Sequence, residues 1–183
     1  MFEFKIGSTV LQLLVGDITN METDVVVNAA NSTLLGGLGV DGAIHSKGGL
    51  KILEECKKIR STVWPDGLPT GYAVITSGGN LKAKYVIHTV GPIWHGGFQG
   101  EEELLKCAYR NSLKLAVQNE LRTIAFPSIS TGAFGYPVNE ASKVSLKTFK
   151  NFLEQEVKIE KVCLVLFTEH VFNVYLTAAR QIF

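Results

Sequence analysis

Short apolar or alternating runs rich in β-branched residues recur along the chain at Val10–Val15, Val25–Asn28, Ala73–Thr76, Tyr85–Val90, Thr123–Pro127 and Lys161–Phe167. This pattern predicts six strands, several of them buried on both faces. Between them, apolar residues return at three- and four-residue steps over Gly42–Ile59, Glu101–Glu120, Asn139–Glu156 and Val171–Gln181, which predicts amphipathic helices. Interleaved strands and helices imply a layered α/β domain whose sheet is largely parallel and covered on both sides. Ligand loops are then expected at the carboxyl ends of the strands. Two segments, Trp64–Gly71 and Gly91–Gly100, carry prolines and glycines without periodicity and read as surface loops, with Trp64 and Trp94 anchoring them to the core.

Composition narrows the class. With 183 residues, 46% of them hydrophobic, the chain has the size of one globular domain with a full core, so residues 1–183 are expected to form a single unit. A formal net charge of +1 gives no bulk attraction to nucleic acid or anionic lipid, so any nucleotide-like ligand must be held by local contacts. No apolar run approaches the roughly 20 residues that span a bilayer, and the start MFEFKIG lacks a secretory pattern. A cytoplasmic protein is expected. Cys56, Cys107 and Cys163 are odd in number and sit in packing patterns, while His45, His88, His95 and His170 are scattered, so no metal site and no cofactor are expected.

The chemistry concentrates in loops. The stretch NAANSTLLGGLGVDGAIH, Asn28 to His45, places two asparagines, a glycine cluster and Asp41 between a strand and a helix start. Glycines let backbone N–H groups approach an anion, and the positive end of the following helix points to the same place. An acid tolerated beside such an anion site suggests a chemical task for Asp41. Gly37 to Gly42 formally matches G-x-G-x-x-G, but the glycines do not follow directly on a strand, and the acids about 20 residues on, such as Glu54 and Glu55, fall in a helix. Diphosphate binding survives this test; dinucleotide redox chemistry does not.

A second loop, SISTGAFGYP from Ser128 to Pro137, follows another strand and precedes another helix. Its hydroxyls and glycine-flanked amides suit an anion-binding concavity, and Phe134 and Tyr136 offer rings to a sugar or phosphate edge. Near the amino terminus, Gly16-Asp17-Ile18-Thr19 ends a strand. Asp17 there suits either recognition of an exocyclic amine or the capping of a helical turn.

Together GDIT, NAANSTLLGGLGVDGAIH, LPTGYAVITSGGNLKAKYVIHTVGP and SISTGAFGYP resemble the macrodomain family, specifically its MacroD-type ADP-ribosyl hydrolases, with bacterial members looking most alike. The resemblance covers about Leu11 to Arg180. It implies a three-layer α/β/α fold with a mixed, largely parallel sheet of about six strands, and ADP-ribose as ligand.

Carried onto this sequence, the resemblance implies Asp17 on the adenine amino group with Ile18 beside the base. Phe167 would stack on adenine, core packing being its alternative. The diphosphate would lie between Gly37, Leu38, Gly39 and Val40 on one side and Ser130, Thr131, Gly132, Ala133 and Phe134 on the other. Asn31 and Asp41 match the polar pair at the distal ribose in hydrolytic members, and His45, one helical turn beyond Asp41, either hydrogen-bonds that carboxylate or the ribose, or packs the helix. Leu38 stands where these relatives often have glycine. The activity implied is hydrolysis of the ester at the distal ribose, on Asp/Glu-modified proteins or O-acetyl-ADP-ribose, with a non-catalytic ADP-ribose reader as the alternative. The partners are then these substrates, with no membrane, and nucleic acid only as a terminally ADP-ribosylated substrate.

Overall fold

The computed structural model describes Met1 through Phe183. Its strands are β1 (Phe2–Ile6), β2 (Thr9–Val15), β3 (Val25–Ala30), β4 (Ala73–Ser77), β5 (Tyr85–Val90), β6 (Thr123–Phe126) and β7 (Lys161–Leu166). Its helices are α1 (Gly39–Gly48), α2 (Leu50–Thr62), α3 (Glu101–Gln118), α4 (Val138–Leu153) and α5 (Glu169–Ile182), with a 3-10 turn at Ile18–Asn20. One seven-stranded sheet runs in the order β1-β2-β7-β6-β3-β5-β4. The five central strands are parallel, and both edge strands are antiparallel to their neighbours.

The six expected strands are present, and the seventh is β1. In FEFKI the alternating Glu3 and Lys5 mark a half-exposed edge, and Gly7, with φ of 57°, closes a two-residue hairpin that pairs Ile6 with Thr9. The expected single helix over Gly42–Ile59 is instead two. Gly48 packs tightly on Ile52, and Gly49 adopts φ of 80° while its N–H donates to His45 O at 3.0 Å, which ends α1 and lets α2 start in a new direction.

Strand alternation then decides which residues reach the site. Val25, Val27 and Ile87 point to the larger apolar cluster, shared with α3, α4 and α5. Val26, Ala30, Val86 and Val90 point to the smaller cluster under α1 and α2. Asn28 on β3 and His88 on β5 are paired in register and fall on this second face, as does Thr76 on β4. A polar group is thereby carried into the α1/α2 side of the core. No helix is long and apolar enough to cross a membrane.

Candidate functional site

A cleft opens beyond the carboxyl ends of β3, β5 and β6, where the loop after each strand contributes a wall: Ala29–Asn31 and Gly37–Asp41, Gly91, and Ser128–Phe134 without Thr131. This is the position where an open parallel sheet exposes its loop amides. The first loop is held by an anchor and a side-chain turn. Leu34 is fully buried despite φ of 59°, and Asn31 Oδ1 accepts from Thr33 N at 3.1 Å while its Nδ2 donates to Gly36 O at 3.0 Å. Gly42 lets α1 close against this loop, since a Cβ there would meet Gly37 O at 2.4 Å.

The second loop is equally constrained. Ser130 is buried with φ of 67°, Tyr136 N donates to Ser130 O at 2.9 Å, and Gly135 N to Gly132 O at 3.0 Å. A Cβ on Gly91 would stand 2.1 Å from Ser130 Oγ, so only glycine at 91 lets the two loops approach. The N–H groups of Gly132, Ala133 and Phe134 have no acceptor within the protein, nor do those of Gly37 and Leu38. With the free first-turn amides of α1 they form two rows of donors on opposite walls.

Asp41 sits at the floor. It is 4% exposed, its Oδ1 accepts from Asn28 Nδ2 at 2.7 Å, and His45 Nε2 lies 3.4 Å from the same oxygen. Its other oxygen, Oδ2, is buried without a partner. Burial raises the Asp41 carboxyl above its ordinary range, and the Asn28 amide and His45 only partly offset this. A Cβ built on Gly37 would stand 3.1 Å from Asp41 Oδ2 and 3.3 Å from Asn31 Nδ2. Gly37 therefore keeps open a space bordered by one free carboxylate oxygen and one amide.

Asp17, Ile18 and Phe167 lie at the ends of adjacent strands β2 and β7, joined by Gly16 N donating to Leu166 O at 3.0 Å. Phe167 is 81% exposed, which removes core packing as its role. Asp17 caps the turn at Ile18–Asn20, accepting from Thr19 N at 2.9 Å and from Thr19 Oγ1 at 2.6 Å, and its Oδ2 lies 3.7 Å from Lys47 Nζ. The Thr19 hydroxyl is the main cause that holds its carboxyl below the usual range. Ile18 is buried in the smaller cluster, so its side chain serves the core.

The Macro domain family pattern matches residues 27–145, about two thirds of the chain. The chain belongs to the Macro domain family. An O-acetyl-ADP-ribose deacetylase of Klebsiella pneumoniae is 49% identical over 164 residues, covering 90% of this chain and 93% of that one. The structure of the Oceanobacillus iheyensis macrodomain with ADP superposes with a TM-score of 0.96 at 43% identity, covering 99% of this chain and 95% of that one. The Trypanosoma brucei macrodomain in complex with ADP-ribose gives 0.83 at 38% identity, covering 91% and 68%.

Within this macrodomain, Leu38 is 93% exposed at the start of α1, and Thr131 turns back to Ser128, its Oγ1 donating to Ser128 O at 3.0 Å. Tyr136 departs from expectation. It is buried against Trp94, with ring centroids 4.6 Å apart, and offers no ring to the cleft. Three further residues were not visible as site residues from sequence. His88 looked scattered, yet the fold gathers it with His45 and Cys56 so that their ligand-type atoms lie within 4.8 Å of one another. Burial, and then His45, depress the His88 imidazole to about 3, while burial, Asp41 and Glu55 push the Cys56 thiol up to about 12. Glu101 is the third, 1% exposed. It accepts from His95 N, Gly97 N and Gln99 N at 2.9, 3.1 and 2.7 Å, and so folds the loop whose Trp94 N donates to Phe134 O at 2.8 Å. An acid just after a glycine-rich segment was the available signal for Glu101.

Proposed function

We propose that this macrodomain, acting as one unit over residues 1–183, hydrolyses the ester between the distal ribose of ADP-ribose and an acyl group. The acyl group is an Asp or Glu side chain of a modified protein, or acetate in O-acetyl-ADP-ribose. The observation that carries the reading is the space at Gly37, bordered by Asp41 Oδ2 and Asn31 Nδ2 and set beside the two rows of free amides. Relatives named O-acetyl-ADP-ribose deacetylase at about half identity, and related structures containing ADP or ADP-ribose, support it.

In this reading the diphosphate lies between Gly37–Val40 and Ser130–Phe134, where the amides of Gly132 and Phe134 hold its oxygens. The adenine rests on exposed Phe167 with its amino group toward Asp17 Oδ2, and base stacking of this kind contributes about 1–3 kcal/mol. Ile18 supports this end from the core. Fixing both ends delivers the distal ribose to Asn31, which orients it, and to Asp41. Water is the nucleophile. Asp41 positions and deprotonates it, with a diphosphate oxygen sharing the base role, and His45 steadies the carboxylate from one turn along α1. Attack on the acyl carbon releases the carboxylic acid and free ADP-ribose, with no covalent enzyme intermediate.

The test is a turnover assay on an Asp/Glu-modified protein, O-acetyl-ADP-ribose and a terminally ADP-ribosylated oligonucleotide, with Asp41→Ala as control and ADP-ribose calorimetry alongside. Retained binding with turnover lost in the variant supports the reading. Wild-type protein that binds ADP-ribose and converts none of the three is a reader, and undiminished turnover in Asp41→Ala removes the role of that residue.

A further inference from the structure

Resting on the hydrolase reading, we propose that Thr76 and His88 are positioning residues. They form a buried relay from β4 through β5 to β3 that fixes the Asn28 amide so that it donates to Asp41 and keeps the carboxylate ionised and aimed at the Gly37 space.

The hydrogen bonds admit one consistent assignment for an ionised Asp41. A carboxylate only accepts, so the Asn28 group 2.7 Å from Asp41 Oδ1 must be its NH2. The second hydrogen of that NH2 faces His88 Nδ1 at 3.1 Å, so Nδ1 carries no proton and accepts. A neutral imidazole then has its proton on Nε2, which donates to Thr76 Oγ1 at 2.9 Å, and the Thr76 hydroxyl donates onward to Ser77 O at 3.0 Å. Each link sets the next. His88 and Asn28 are paired in register across β3 and β5, so the sheet itself holds their spacing.

The relay has no substitute. His88 is fully buried, and besides these two bonds its only other hydrogen-bonding neighbour is Cys56 Sγ at 3.8 Å from Nε2, with the His45 ring at 6.0 Å between centroids. The titratable groups around Asp41 are His45 from its own helix, Cys56 from α2 and, behind Asn28, His88 from β5, with Glu55 of α2 acting on Cys56. Glu55 is committed to Ser77 N at 2.6 Å. Removing the Thr76 hydroxyl leaves Nε2–H without a good acceptor and favours the other tautomer. Nδ1–H then confronts the Asn28 NH2, the amide rotates, and Asp41 faces a carbonyl oxygen in place of a donor.

Thr76→Val is nearly isosteric and Thr76→Ser keeps the hydroxyl. The expected result is that Thr76→Val moves the acid limb of the kcat/KM profile upward by about one pH unit and lowers kcat at neutral pH. ADP-ribose affinity and KM stay near wild type, and Thr76→Ser restores the wild-type profile. An unmoved acid limb in Thr76→Val overturns the proposal. Nitrogen NMR of His88 in the wild-type protein is independent of any variant: a proton on Nε2 is expected, and a proton on Nδ1 overturns the relay. If the wild-type protein binds ADP-ribose but hydrolyses no ester, the hydrolase reading has failed. Carbon NMR titration of the Asp41 carboxyl then decides the relay alone, which stands if Thr76→Val shifts the titration upward and falls if the two curves coincide.

Discussion

Adding one methyl group at Gly37 should separate folding from catalysis. Gly37 has φ outside the left-handed region, so alanine is conformationally allowed there, and the restricted unfolded chain gains about 0.4–1 kcal/mol of stability. The new Cβ would stand 3.1 Å from Asp41 Oδ2 and 3.3 Å from Asn31 Nδ2, tight contacts that neighbours relieve by a few tenths of an ångström. These effects nearly cancel, so Gly37→Ala should melt within about 4 °C of wild type. On the proposed mechanism, the methyl nevertheless fills the place of the attacking water or distal ribose. A displacement on the order of 1 Å in such geometry costs about a hundredfold in rate, or about 2.7 kcal/mol of barrier. Steady-state release of acetate from O-acetyl-ADP-ribose, with calorimetric ADP-ribose binding and a melting curve on the same preparation, measures all three quantities. Turnover within twofold of wild type in a properly folded Gly37→Ala protein would refute the assignment of this space as the reaction site.

Phe167→Ala should leave the melting temperature unchanged, because the ring is 81% exposed, while weakening ADP-ribose in calorimetry by about 1–3 kcal/mol. Gly91→Ala drives a Cβ to 2.1 Å from Ser130 Oγ and should lower stability by about 1–3 kcal/mol by overpacking, seen in urea denaturation, together with a loss of ADP-ribose affinity. Burial raises the Glu101 carboxyl, but the loop N–H donors outweigh it and hold it down to about 2. Its stabilising contribution is therefore present above pH 4.5 and lost as pH falls from 4.5 toward 2. Glu101→Gln should flatten acid unfolding in that window and speed amide exchange at His95, Gly97 and Gln99.

Most of the layered architecture was legible because strand and helix periods are local properties. All six expected strands appear, and the helix reading erred chiefly where apolar spacing ran through Gly48-Gly49 without signalling the turn. The first strand was missed for a different reason: its Glu3 and Lys5 are ordinary at a sheet edge but dilute the apolar signal. The two loops of the cleft were visible from glycines after strands. Tyr136 was misread because an aromatic in such a loop serves equally as a wedge, and its burial against Trp94 depends on a segment some forty residues earlier. The meeting of His88 with Asn28 follows from parallel register between strands separated by two helices and a strand, which no local pattern carries.

The distribution of unsatisfied atoms separates a site from a mere surface groove. A buried polar group without a partner costs about 1–3 kcal/mol, so a fold shaped by stability alone keeps few and has no reason to cluster them. Here six buried side-chain atoms lack hydrogen-bond partners; Asp41 Oδ2 and Ser130 Oγ belong to residues that line the cleft, and Asn28 Oδ1 and His45 Nε2 belong to the two side chains that adjoin Asp41. Asp41 adds a burial cost to its ionised form, against which Asn28 and His45 are the only groups that lower its pKa. The rest of the molecule offsets this local expense through two apolar clusters that clamp the sheet from both faces. Removing the buried charge should make that trade visible. Asp41→Asn keeps the shape, lets Asn28 donate to a neutral amide, and removes the buried charge, so it should raise thermal stability while abolishing ester hydrolysis. A variant both less stable and still active would mean that the carboxylate is a structural element, and that the chemistry lies elsewhere on the cleft.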